Sequence, residues 1–66
     1  GVDSLLVIHT LVGGAQPLAV AIDRQQWDEV IGTIAGDDTI LLILRDPAAR
    51  ETVTRRVREL AGVEGA

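Results

Sequence analysis

The sequence has no cysteine, methionine, tyrosine or phenylalanine, and it carries one tryptophan and one histidine. Without cysteine there is no disulfide to staple the chain, and a single histidine leaves no Cys/His cluster for a structural metal. That histidine, His9, sits at the end of an apolar run with no Ser or Cys nucleophile pattern around it, so it reads as structural. The chain shows neither a nucleophile–base pair nor a metal set, and a non-enzymatic role is expected. No cofactor is expected either. The lack of methionine predicts a processed form or a piece of something larger. Basic residues are few: six Lys plus Arg against ten Asp plus Glu give a net charge of −4. Phosphate neutralisation needs a basic patch, which argues against nucleic-acid binding by this segment alone. The longest apolar run falls far short of the ~20 residues that cross a bilayer, and no signal-peptide pattern opens the chain. The cytoplasm is the default compartment.

What is present is apolar. Of 66 residues, 47% are hydrophobic, and the mean hydropathy is +0.28. A single domain of this length buries only ~60% of the surface its unfolded chain exposes. Burial against further copies of the same chain resolves the excess, so a homo-oligomer is expected.

Leu5-Leu6-Val7-Ile8 is a short apolar run with β-branched residues and reads as a buried strand ending near Thr10. Gly13-Gly14 punctuate a loop. Ala15 to about Gln26 reads as a helix whose core stripe is Ala15, Leu18, Ala19 and Ile22; Pro17 is tolerated in its first turn. Val30 to Ala35 and Thr39 to Leu44 read as strands joined at Gly36-Asp37-Asp38, where Gly36 can supply a positive φ for a tight hairpin. Asp46 is a suitable N-cap with Pro47 at the first helical position. The last helix runs to about Leu60, with Ala49, Val53, Val57, Leu60 and Ala61 inward and a favourable Glu51–Arg55 pair outward. Gly62 suits its C-terminal cap, and Val63 to Ala66 form a frayed tail.

The order β-α-β-β-α predicts an α+β fold: one mixed sheet, its first two strands parallel, with two helices on one face. Leu5 to Ile8 and Ile40 to Leu44 are apolar on both sides and so expect cover on both. No third helix supplies it, which is a second argument for an oligomer.

The polar chemistry gathers in few places. Gln16, Val20, Asp23 and Trp27 share one helical face at i, i+4, i+7 and i+11. Gln16 and Asp23 stand about 10 Å apart along the axis, room for an amino-acid-sized molecule. Gln16 offers donors and an acceptor, and Asp23 an anionic acceptor. The adjacent carboxylates of Asp37 and Asp38 repel unless a cation or water separates them. The set suits a ligand with two cationic groups, and a guanidinium in particular, whose planar fork bonds a carboxylate in bidentate fashion. Plainer readings stand beside this one. Gly-Asp-Asp is ordinary turn chemistry, Asp23 beside Arg24 suits a solvated helix end, Gln16 can serve a helix terminus, and Trp27 suits a packing or interface anchor. Ca²⁺ wants about 6–8 oxygens, and no loop has that acidic spacing.

Gly14-Ala15-Gln16, then Ala21-Ile22-Asp23, then Gly32-Thr33-Ile34-Ala35-Gly36-Asp37-Asp38-Thr39-Ile40 together resemble the C-terminal domain of the bacterial arginine repressors. The likeness extends from about Leu5 to Leu60, and the octapeptide Gly32 to Thr39 is its specific part. It implies one arginine-binding and oligomerisation domain over residues 1–66, forming trimers that pair into hexamers with L-arginine, the corepressor, between trimers. It implies that Gln16 and Asp23 contact the α-carboxylate and α-amino end. Asp37 and Asp38 would hold the guanidinium, at least one across the trimer–trimer boundary, while Thr33 and Ala35 line the site. DNA would be read by a separate N-terminal domain. The alternative is a structural or regulatory oligomerisation module of an enzyme, with Asp37-Asp38 as a mere turn.

Overall fold

The computed structural model describes residues 4–64, apart from the side chains of 62–64. Strand β1 is Leu5–His9, helix α1 Ala15–Gln25, strand β2 Val30–Ala35, strand β3 Thr39–Leu44 and helix α2 Arg50–Glu64, the last entered through a 3-10 turn at Pro47–Ala49. The α+β fold is as the sequence predicts, and both strands of the hairpin have the expected bounds.

The sheet order is β1-β3-β2, and both ladders are antiparallel. The mixed sheet is therefore not formed. β1 and β2 do run parallel, but β3 lies between them. The hairpin keeps β2 beside β3, and β1 takes the other edge of β3, the most apolar run in the chain. The centre of the sheet thus goes to the strand with apolar side chains on both faces.

One face of the sheet meets both helices. Leu6 from β1 and Ile40, Leu42 and Leu44 from β3 are buried there with Leu18, Ala19 and Ile22 of α1 and Val53 and Val57 of α2. Among the described residues nothing covers the opposite face. Val7 and Ile34 flank Leu41 in register, and they are 51% and 59% exposed. Leu41 and Ile43 between the edge strands are half-buried.

Asp46 caps the 3-10 turn as expected, its Oδ1 accepting from Ala48 N at 2.7 Å. Helix α2 does not stop at Leu60: it continues through Gly62 to Glu64. Glycine lowers helix propensity by about 1 kcal/mol but does not forbid the conformation. Of the expected frayed tail, Val63 and Glu64 are helical, and Gly65 and Ala66 lie outside the described residues. Helix α1 ends when Gln26 turns left-handed at φ 53°, its N–H donating to Asp23 O. Trp27 is consequently off the helix and does not extend the Gln16–Asp23 face. It packs against the core with Arg56 above its ring, Cζ 5.8 Å from the centroid. Among the described residues Arg56 pairs with Glu29 and Arg45 with Asp28, while Glu51–Arg55 forms no ion pair.

Candidate functional site

Helix α1 starts beside the β2–β3 turn, and the β1–α1 loop is the reason. Gly13, at φ +82°, bends the chain through the left-handed region that glycine enters freely. The bend turns successive amides onto the hairpin. Thr10 N–H donates to Asp38 O at 2.7 Å, and Gly13 and Ala15 N–H both donate to Asp37 O at 3.1 Å. In the first turn of the helix, Gln16 Nε2 donates to Ala35 O at 2.8 Å and lies 3.4 Å from Gly36 O. The acidic turn is held from outside by backbone and side-chain donors.

That support replaces the turn geometry expected from sequence. Gly36, Asp37 and Asp38 have no positive φ; among the described residues only Gly13 and Gln26 do. Gly36 N–H closes the hairpin on Thr39 O at 2.8 Å. The Gly13-Gly14 pair was the sequence signal for this loop, but nothing in it names the carbonyls it would serve.

Four of the six candidate residues are thereby gathered: Gln16, Ala35, Asp37 and Asp38. Thr33 joins them on the helix-facing side of β2, paired across to buried Leu42 as Ala35 is to Ile40. Asp37 and Asp38 are exposed, and Asp38 Oδ1 accepts from Thr39 Oγ1 at 3.0 Å. Asp23 is exposed two turns further along α1, about 10 Å from Gln16 by helical rise. No hydrogen bond ties it to the other five among the described residues. The strip is a row of anions and acceptors with two exposed carboxylates at one end and one at the other. Such a row can hold an elongated molecule that is cationic at both ends.

Two features were not foreseen. Glu29 and Arg56 meet at 2.8 Å beneath Trp27's edge of the molecule. Glu29's own backbone amide, then its hydrogen bond from Arg56, hold its carboxyl below the ordinary value, against a smaller opposing effect of burial. A groove of about 690 Å³ also opens between β1, the start of α1 and α2, lined by Leu6, Ile8, Pro17, Leu18, Val57 and Ala61 among others. It contains none of the six candidate residues. His9 lies on its rim, exposed. Among the described residues no group of three or more His, Cys, Asp or Glu is placed to hold a metal. No helix among them is long and apolar enough to cross a membrane.

An antiparallel sheet backed by two helices, with an anionic strip along one helix and a turn, defines a small two-layer α+β domain. Comparison with known proteins gives the family. The profile of the arginine repressor C-terminal domain matches residues 1–59, and the chain belongs to that family. An arginine repressor of Staphylococcus epidermidis is 50% identical to it, over 91% of this chain and 40% of the relative. The arginine repressor of Desulfitobacterium hafniense is 48% identical over 88% of this chain and 39% of its own. That of Caldicellulosiruptor saccharolyticus is likewise 48% identical, with 88% and 38% covered. The chain thus spans about two-fifths of the length of these relatives.

Proposed function

We propose that residues 1–66 form the L-arginine-sensing and oligomerising domain of a cytoplasmic repressor of arginine metabolism. L-arginine is the corepressor, and no metal or other cofactor takes part. It lies along Gln16, Asp23, Thr33, Ala35, Asp37 and Asp38, with the guanidinium at the Asp37–Asp38 end. Chains assemble as trimers that pair into hexamers, and DNA is engaged by a separate N-terminal domain. The role is regulatory, not enzymatic. Family membership supports the ligand's identity. The observation that carries the site is the Gln16 bond to Ala35 O, which joins the helix's polar face to the acidic turn.

The test is thermal melting with L-arginine, L-citrulline and L-lysine. Citrulline keeps arginine's shape but has a neutral ureido group. Losing the charge-assisted bonds costs about 2–5 kcal/mol in a closed site, so arginine raises the melting temperature and citrulline barely moves it. Asp37→Asn, nearly isosteric and compatible with a turn, loses most of the arginine shift and keeps the melting temperature of the unliganded protein. Equal shifts with arginine and citrulline, or a full arginine shift in Asp37→Asn, would leave an oligomerisation module with a plain acidic turn.

A further inference from the structure

His9 is the sole histidine of the chain, and the strand register places it on the open face of the sheet. Leu6 and Ile8 of β1 turn toward the helices, with Ile40 and Leu42 of β3. Alternation along a strand then sends Leu5, Val7 and His9 to the other side. His9 faces Thr39 in register, one step beyond the row of Val7, Leu41 and Ile34. It is exposed in the single chain. It is also the only ionisable residue in any of the three strands. A contiguous apolar face therefore carries one group able to gain a charge, and that group is a histidine, which ordinarily titrates near pH 6.5.

Adjoining elements bring three charged groups to this end of the sheet. Asp37 and Asp38 lie in the turn before β3, and Arg58 of α2 lines the same groove as His9. None forms an ion pair with His9 among the described residues. Asp38 Oδ1 accepts from Thr39 Oγ1 at 3.0 Å, so the nearest carboxylate in sequence is already engaged by the residue opposite His9. Nothing here is arranged to receive an imidazolium.

We infer that His9 makes association through the open sheet face pH-dependent, with copies held together while its imidazole is neutral and released as it takes up a proton. The inference rests on the assembly proposed above, and the occupant of the face is a second copy. Strands without fixed charge meet their own kind without repulsion, whereas a covered imidazolium loses its water with no partner arranged for it. The free chain binds a proton that the assembled chain refuses, so association weakens as pH falls. A histidine kept neutral in the assembly and free to titrate outside it lowers the association constant about tenfold per buried copy between about pH 7.5 and about pH 5.5. Carboxylates ordinarily titrate below that window.

Sedimentation at micromolar concentration tests this with the parent chain, His9→Gln and His9→Lys. The parent associates more weakly at the lower pH by about tenfold for each His9 covered. His9→Gln, polar but never charged, associates equally at both. His9→Lys, charged throughout, associates weakly at both. A parent that associates equally at the two pH values or more tightly in acid, or a pH dependence that persists in His9→Gln, overturns the inference. A parent that is monomeric at the higher pH is a different result, which removes the assembly itself before any variant is compared. Should His9→Gln not fold, the imidazole resonances of the parent decide. Their titration midpoint is lower at associating concentrations than in the dilute chain, and a midpoint independent of concentration overturns the inference.

Discussion

Gly36 opens the acidic turn without using the backbone freedom that makes glycine useful in turns. Its φ is not in the left-handed region, and a Cβ there would meet only Thr39 O, at an ordinary 3.7 Å. The turn's shape comes from outside, through the amides of Thr10, Gly13 and Ala15 and the side chain of Gln16. Gly36→Ala therefore removes freedom from the unfolded chain and adds no strain to the folded one. It should stabilise by about 0.4–1 kcal/mol, raising the melting temperature by a few degrees in a domain of this size. A clear loss of stability would show that the turn does need glycine's left-handed backbone. Gly13, at φ +82°, marks where that requirement has moved. The sequence pointed to a glycine-dependent turn at the right place and assigned the dependence to the wrong glycine, because a loop more than twenty residues upstream in the chain supplies the support.

Between elements, the joint that ties the end of α1 and the start of β2 to α2 is Trp27, Glu29 and Arg56. Arg56 Nη1 donates to Glu29 Oε1 at 2.8 Å, and the same guanidinium covers Trp27 within the range of a cation–π contact. Arg45–Asp28, at 3.6 Å with side chains 58% and 93% exposed, adds little. Glu29's carboxyl is held below its ordinary value near 4.5 by its own amide and then by Arg56. A carboxyl lowered in the folded state favours folding above its unfolded value, and the contribution disappears as pH falls through the folded one. Melting curves of the parent and Glu29→Gln should therefore separate above about pH 4.5, the parent being more stable, and converge in more acidic solution. Parallel curves across that range would remove Glu29 from the acid response. Fluorescence of Trp27, the sole tryptophan, follows the joint directly. The limits of β2 and β3 were legible in the sequence because apolar, β-branched runs stop at Gly36 and Arg45. The sequence could not show this joint, whose members lie on the α1–β2 connection and on α2 and meet only once the strands are ordered. The order itself was unreadable locally: it depends on β1 reaching the far edge of β3, a pairing between residues thirty or more positions apart.

At the scale of the molecule, one sheet face has two helices, and among the described residues the other has none. The expectation of cover on both sides is half met within the chain. Across the open face, Val7, Leu41 and Ile34 form a row in register, with Leu5 and Ile43 beside it. Single exposed apolar residues are unremarkable, but a contiguous apolar sheet face marks a surface that associates. A chain of 66 residues without disulfides also has little stability to spare alone. If copies cover this face, folding and assembly are linked, and the melting temperature must rise with protein concentration. Val7→Lys combined with Ile34→Glu tests the link. The two side chains flank Leu41 and face outward, and their opposite charges do not repel within one chain. Burying them between copies would strip both charges of water without arranged partners. The parent should sediment as an oligomer at micromolar concentration, with a concentration-dependent melting temperature. The double variant should sediment as a folded monomer, less stable than the assembled parent, with a melting temperature that no longer depends on concentration. A parent that is monomeric and melts at one temperature at every concentration would show that the chain carries this apolar face uncovered.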